Sequence, residues 1–406
     1  MHASSYRGDR IPLHRSVALP RPYLVGQLAA LVAAVLLACL PTPSRACSTF
    51  CLRHEGRIVF GKNYDWDVSE GMLVVNKRNV AKASTSVANA AATPALRWTS
   101  RHGSVTFNQY GREFPNGGIN EAGLVIELMW LNDTRYPDSD ARPALGCLQW
   151  IQYQLDTAAM VREVLASDGK VRISSSAAVH YLVADRHGDV AAVEFLDGRL
   201  VAHTGEKLPV AALTNSTYAG SLAYLERLRA EGTPPPTGYA SVDRFARAAE
   251  RLERFSSLLA DGGSAQRAGT QANPARPARS APGLPAPDAV AYAFETLADL
   301  DQGSRTQWSI VYELDRLRLT FRTHRNPRTR ELALADLEFD CSSPVLVTDL
   351  SSGPAGDVAG HLVPYNAAAN LELVRTSTQK TEFLTGTSEA AIRERASFPE
   401  STSCRD

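Results

Sequence analysis

The first 46 residues read as a leader, and where that leader is cut decides which residue opens the mature chain. Arg7, Arg10, Arg15 and Arg21 precede an apolar stretch from Tyr23 to Leu40, followed by Pro41, Pro43 and the small-x-small run Ser44-Arg45-Ala46. A basic segment, a short apolar segment and a small-residue cleavage zone are the parts of an export signal. Residues 1–46 are therefore expected to be a signal peptide and 47–406 a single domain opening at Cys47. A cysteine at a chain terminus carries a thiol and a free α-amino group on one Cα. That amine, with an ordinary pKa of about 7.7 to 8.0, can take the proton of its own thiol.

A rival processing site is Leu36-Leu37-Ala38-Cys39, which loosely resembles a bacterial lipoprotein box. Lipidation there would keep Cys47 internal, and the alternative function is then a non-catalytic lipoprotein or binding protein anchored through Cys39. No later segment is long and apolar enough to span a bilayer, so no stable membrane insertion is expected after cleavage. The expected location is outside the cytoplasm, periplasmic or extracellular.

About 360 residues remain after the leader, enough for a substantial core. Of the 43 basic and 43 acidic residues, the leader holds five and one, which leaves 38 against 42. This slightly acidic balance, with no basic stripe, argues against a nucleic-acid partner. Cys47, Cys51, Cys147, Cys341 and Cys404 stay in the mature chain. If Cys47 is free, the other four allow three pairings in an oxidising compartment.

The pattern after the leader is mostly of strands. Ser48 to Leu52 and Arg57 to Lys62 read as a hairpin, and Leu124 to Leu131 as a buried strand after the turn Asn120-Glu121-Ala122-Gly123. Val179 to Ala184, Val190 to Leu196 and Leu200 to Ala202 form a meander. Thr157 reads as the cap of a helix carrying Val161, Val164 and Leu165, and Ser241 as the cap of a second helix reaching about Leu259. Residues 262–287 are Gly-, Ala-, Ser-, Arg- and Pro-rich and read as an exposed low-complexity insertion. Ala289 to Leu300 returns to helix, and Trp308 to Tyr312, Arg318 to Thr323 and Leu332 to Leu337 to strand. Helices flanked by strands from both ends predict two packed sheets covered by helices.

A thiol nucleophile needs a base, a nearby cation, and donors for the oxyanion. The α-amine of Cys47 supplies the base, and Gly61-Lys62-Asn63-Tyr64-Asp65-Trp66-Asp67 ends a strand in a cation and two carboxylates. Cys51 and His54 stand near Cys47, but no second Cys or His pair completes a tetrahedral metal set. No Gly-x-Ser-x-Gly elbow supports a serine hydrolase.

On these residues the chain resembles the choloylglycine hydrolase and penicillin V acylase family of linear amide C-N hydrolases, within the N-terminal nucleophile (Ntn) hydrolase superfamily. The resemblance lies in Cys47 with Gly61-Lys62-Asn63-Tyr64-Asp65, in Gly118-Ile119-Asn120-Glu121-Ala122-Gly123-Leu124, in Leu213-Thr214-Asn215-Ser216, in Asp243-Arg244-Phe245 and in Thr306-Gln307-Trp308-Ser309-Ile310-Val311-Tyr312. It implies an α+β fold, a four-layer αββα sandwich of two antiparallel sheets. It also implies hydrolysis of small acyl amides through a thioester, no cofactor or metal, and a dimer or tetramer.

Carried over, Cys47 is nucleophile and base. Asp65 accepts from the α-ammonium, and Arg244 favours thiolate. The Asn215 side chain and a backbone N–H at Trp130 donate to the oxyanion. Lys62 stands where much of the family has arginine, which keeps a positive charge but loses the planar fork. The loop Trp130 to Asp138 and the segment after Trp66 are expected to shape the acyl pocket. Trp66, Trp130 and Trp308 read as core or pocket wall, and Glu127, inside an apolar strand, requires a buried partner.

Overall fold

Alternation along Arg57–Asp65 shows how the layers are built. Successive side chains of a strand point to opposite faces. Tyr64 reaches across to Gln109 (2.9 Å) and Lys62 donates to the carbonyl of Leu128, both in or beside the second sheet. Asn63 turns the other way and donates to the carbonyl of Leu297 on a covering helix (2.7 Å). The computed structural model describes residues 47–54, 56–85, 95–269 and 288–405. The leader and residues 270–287 of the low-complexity stretch lie outside them.

The seven-stranded sheet runs in the order Ala212–Leu213, Ser48–His54, Arg57–Asp65, Thr306–Glu313, Arg318–Thr323, Arg330–Ala333, Gly356–Asp357; only its last pair is parallel. The nine-stranded sheet, antiparallel throughout, runs Arg199–Thr204, Val190–Leu196, Val179–Ala184, Val125–Trp130, Gly117–Asn120, Ser104–Asn108, Met72–Asn76, Leu346–Asp349, Val363–Pro364.

The inner faces meet through Phe107, which packs edge-on against Tyr312 and Phe321 at centroid distances of 6.4 and 5.4 Å. In Val179–Ala184, Leu182 and Ala184 join this central core, while Tyr181 and Val183 join an outer one under the helix Cys147–Thr157. Trp150 of that helix lies 4.6 Å from Tyr181. The helices Ser241–Gly269 and Ala289–Asp299 pack on the other sheet through Phe245, Ala249, Ala293 and Leu297. The result is the expected α+β sandwich with helices on both outer faces. Strands buried on both sides explain why their sequences read as continuous apolar runs.

Glu127 finds its partners between the sheets. Tyr312 Oη donates to it at 2.6 Å and Lys62 Nζ lies 4.0 Å away. Burial pushes its carboxyl up to about 7 against the pull of Lys62 and Tyr312. The register pairs Glu127 with Gly117, where a Cβ would sit 2.2 Å from the carboxyl carbon. Only a glycine leaves room for that side chain.

Several local expectations need correction. Thr157 is the last residue of the helix Cys147–Thr157, and the next helix, Val161–Ala166, starts after Met160. Thr157 Oγ1 donates back to the carbonyl of Tyr153 (2.6 Å), as hydroxyls do within a helix. The earlier helix is hard to read because Gln149, Gln152, Gln154 and Asp156 are buried, against their usual preference. The helix opening at Ser241 continues to Gly269, into the stretch read as a loop. Arg330–Ala333 is strand, but Leu334–Asp336 is a 3₁₀ turn. Cys341 and Cys404 form a disulfide, whereas Cys51 and Cys147 are free and belong to different cores.

One buried network fixes the segment that leads into Asn215. Glu194 Oε1 accepts from the Tyr218 N–H (2.9 Å) and lies 3.2 Å from His180 Nδ1, whose other ring nitrogen is 2.7 Å from the carbonyl of Thr214. Each ring nitrogen of His180 thus has an oxygen within hydrogen-bonding distance. Burial pushes the Glu194 carboxyl up, but His180, His203 and the Tyr218 N–H together bring it down to about 2.

Two outcomes are expected. A carboxyl whose folded pKa is depressed stabilises the fold above its unfolded value and loses that contribution as pH falls through the folded one. Glu194→Gln should therefore cost about 3 kcal/mol near neutral pH, with the deficit shrinking between about pH 4.5 and 2, read by urea unfolding across pH. The disulfide closes a loop of 63 residues. Cys404→Ser should remove up to about 4 kcal/mol, and reductant should lower the melting temperature of the parent but not of the variant.

Candidate active site

Cys47 stands immediately before the strand Ser48–His54 and is almost fully buried. Its backbone nitrogen donates to Asn215 Oδ1 at 2.6 Å, and its Sγ lies 3.8 Å from the carbonyl oxygen of Asp65. The hairpin register brings Asp65 to this end of the sheet, and the short strand Ala212–Leu213, paired to Ser48–His54, delivers Asn215. Arg244, in the first turn of Ser241–Gly269, is completely buried. Its Nη1 donates to the carbonyl of Cys47 (2.7 Å) and to Ser48 Oγ (2.6 Å), and its Nη2 to Asn215 Oδ1 (2.9 Å).

Ser241 ties these pieces together. Its Oγ accepts from the Asn215 N–H (2.8 Å) and lies 2.9 Å from Thr214 Oγ1. The residue read as a helix cap thus also anchors the Asn215 loop.

Cys47, Lys62, Asp65, Asn215, Arg244 and Trp130 come together, with partners that differ from expectation in three places. The Asp65 carboxylate accepts from Thr306 Oγ1 (2.5 Å) and Gln302 Nε2 (2.6 Å), and it is the oxygen of Asn215 that takes the Cys47 N–H. The Asn215 side-chain nitrogen donates to the Trp130 carbonyl at 2.8 Å. Trp130 therefore meets Asn215 through its oxygen. Lys62 is bound through the Leu128 carbonyl and Glu127, between the sheets.

The electrostatics distinguish the cysteines. Burial raises the Cys47 thiol above its ordinary value; Lys62 and Arg244 pull it down and Asp65 pushes it up, leaving it protonated at neutral pH. A base is therefore needed to make the thiolate. Burial sends Cys51 up to about 12. Burial also raises Asp65 to about 6, against Arg244, Thr306, Gln302 and Lys62. Asp67 is exposed and pairs with Arg305 at 2.9 Å, the ordinary fate of a turn carboxylate.

A cavity of about 470 Å³ opens from Cys47. Tyr64, Trp66, Trp130 and Phe383 form an aromatic wall, with Trp130 and Phe383 centroids 5.5 Å apart and Trp66 and Trp130 6.0 Å apart. Of the loop Trp130 to Asp138, only Trp130 lines this cavity; Thr134 to Asp138 border a separate depression. The rest of the wall escaped sequence reasoning. Tyr110 and Phe114 come from the loop after Ser104–Asn108, Ser174 to Ala177 precede Val179–Ala184, and Phe383 and Arg395 lie far along the chain. No local pattern marks them, because a cavity wall has no period of its own. Trp308 is core, stacked on Tyr64 at 4.1 Å.

Comparison with known proteins agrees with this geometry. Residues 47–251 match the model of linear amide C-N hydrolases, choloylglycine hydrolase family. Penicillin V acylase of Pectobacterium atrosepticum is 27% identical over 300 residues, covering 66% of this chain and 77% of the relative. Penicillin V acylase from Agrobacterium tumefaciens superposes with a TM-score of 0.63 at 23% identity, over 79% of this chain and 98% of that one. A variant of conjugated bile acid hydrolase from Clostridium perfringens gives 0.58 at 15% identity, over 76% and 98%. At such identities the superpositions establish the fold, that of the Ntn hydrolases. The family match spans just over half of the 406 residues, so the chain belongs to the choloylglycine hydrolase family and is a hydrolase of linear amide carbon–nitrogen bonds.

Proposed function

We propose that the protein is an exported cysteine amidase in which Cys47, freed as the first residue, is both nucleophile and base. The observation that carries this reading is the convergence of Asn215 and Arg244 on the main chain of Cys47, beside a thiol that its surroundings keep protonated. With residue 46 attached, the Cys47 nitrogen is an amide whose lone pair is delocalised. Once cleaved it becomes an amine, and Asn215 Oδ1 is at hand to hold one of its hydrogens.

In this mechanism the thiol proton passes to the amine while Sγ bonds to the substrate carbonyl carbon. The tetrahedral oxyanion takes a hydrogen bond from the Asn215 side chain, which must exchange its Trp130 acceptor for substrate, and Arg244 adds positive potential. Collapse breaks the C–N bond, and the α-ammonium gives its proton to the departing amine. Water then adds to the thioester, releasing the acid and restoring the thiol. Lys62 biases the site toward thiolate, and Asp65, held by Thr306 and Gln302, fixes the turn whose carbonyl faces Sγ.

The aromatic wall suits an apolar acyl group, and amides of the penicillin V, conjugated bile salt or N-acyl type are the substrates proposed. The disulfide supports export, since such bonds persist in oxidising compartments. The dimer or tetramer implied by the family belongs to the same proposal and is read by light scattering.

Mass spectrometry of active protein should give a chain starting at Cys47; an intact leader or a lipidated Cys39 in fully active material rejects the mechanism. Cys47→Ala should abolish release of free amine from an acyl amide panel. Asn215→Ala should lower kcat by about 10² to 10³, as loss of one oxyanion donor does, with KM much less affected.

A further inference from the structure

Lys62 stands behind the wall of the Cys47 cavity. Its ammonium donates to the carbonyl of Leu128 and lies 5.9 Å from the ring centre of Tyr64, and Leu128, Tyr64 and Cys47 all line that cavity. The strand register brings this charge toward the sulfur. Thr49 pairs with Lys62 and faces the other sheet, its Oγ1 3.5 Å from Met129 Sδ. Cys47, two residues earlier, returns to the same face by alternation and becomes a diagonal neighbour of Lys62. Such neighbours lie about 7 to 8 Å apart, within reach of a long side chain. Burial raises the Cys47 thiol, and of the charges that act on it Lys62 comes first, pulling it down.

The charge of Lys62 is itself opposed from behind. Glu127 Oε2 lies 4.0 Å from Nζ, and Glu127 Oε1 accepts from Tyr312 Oη at 2.6 Å. Among the described residues Lys62 is the only cation within ion-pair distance of Glu127. Lys62, Tyr64 and Tyr312 face this carboxyl from the opposite sheet. In its own sheet Gly117 and Leu182 stand beside it and do not titrate, and His180, one diagonal step away, lies 3.2 Å from Glu194. A separation of 4.0 Å lets the two charges attract without sharing a hydrogen bond. The carboxyl can therefore gain or lose a proton at Oε2 while Tyr312 stays bound to Oε1. Burial raises it to about 7, against Lys62 and Tyr312, so both forms are present near neutral pH.

We propose that Glu127 is a positioning residue that governs the reactivity of Cys47 through Lys62: when charged it offsets the ammonium, and when neutral it leaves Lys62 free to favour thiolate. Raising the pH through neutrality then ionises Glu127 and works against ionisation of Cys47, so this thiol gains less from the rise than an isolated thiol would. The inference rests on Cys47 as the nucleophile.

The test follows alkylation of Cys47 by iodoacetamide across pH, resolved by peptide mass so that Cys51 and Cys147 are read separately. Glu127→Gln keeps an acceptor for Tyr312 and stays uncharged throughout. At pH 5, where the parent carboxyl is neutral as well, variant and parent should react at the same rate. By pH 8.5 the variant should be about 3- to 10-fold faster, because only the parent then opposes Lys62. A merely structural role would shift the rate alike at both values. Tyr312→Phe keeps the partner of Lys62 but removes a donor that holds Glu127 ionised. Its rate should match the parent at pH 5 and 9.5 and exceed it in between. A Glu127→Gln ratio that does not rise with pH, or a Tyr312→Phe ratio with no intermediate maximum, overturns the proposal. If Glu127→Gln does not fold, Tyr312→Phe decides alone. If the parent hydrolyses no amide, the Cys47 reading fails, while alkylation still decides the role of Glu127.

Discussion

The site depends on one side-chain oxygen. Asn215 Oδ1 accepts from both the Cys47 nitrogen and the Arg244 guanidinium, while the nitrogen of the same amide reaches the Trp130 carbonyl. Those contacts join the first strand of one sheet, a strand end of the other and the covering helix. A buried guanidinium without hydrogen-bonding acceptors would be prohibitive, and here the acceptors are carbonyl, hydroxyl and amide oxygens. Burial lowers the pKa of Arg244, and the nearby charges of Asp65 and then Cys47 act against that.

The same reasoning explains Lys62. Alternation places it on the face between the sheets, where an unpaired ammonium would be very costly. The Leu128 carbonyl and Glu127 satisfy it, and Gly117 makes room for Glu127. An ammonium acts as a point charge and reaches both partners across the sheet interface. Behind the Asn215 loop, His180 and Glu194 do analogous work for Thr214 and Tyr218. Polar and charged groups packed between the sheets thus hold the segments around Cys47, which itself sits next to a strand end.

The cavity joins parts of the chain that have little sequence relation. Trp66 and Trp130 come from the strand ends next to Cys47, and Phe383 and Arg395 from the segment closed by Cys341–Cys404. Tyr110 links them, since its hydroxyl accepts from Trp66 Nε1 (3.0 Å) and lies 2.8 Å from Thr381 Oγ1. The wall at Trp66 and Trp130 is therefore built from the sheets, and Phe383 and Arg395 come from helical segments added to them. Loops and terminal segments on a rigid scaffold are where specificity is most readily varied.

Sequence by itself determined the strands around Cys47, the turn at Asn120 to Gly123 and the meander after Val179, because period-two burial and turn chemistry are local. It also assembled the candidate residues Cys47, Lys62, Asp65, Asn215 and Arg244, through short motifs in a recognisable order. Tertiary structure alone decided which atom of each residue faces which partner: the Asp65 carboxylate toward Thr306 and Gln302, the Asn215 oxygen toward Cys47, the Trp130 oxygen toward Asn215. It alone paired Cys341 with Cys404, revealed the glutamine-rich helix Cys147–Thr157 as buried, and brought Arg395 to the cavity of Cys47. These outcomes depend on contacts between residues far apart in the chain, for which hydrophobic periodicity carries no signal.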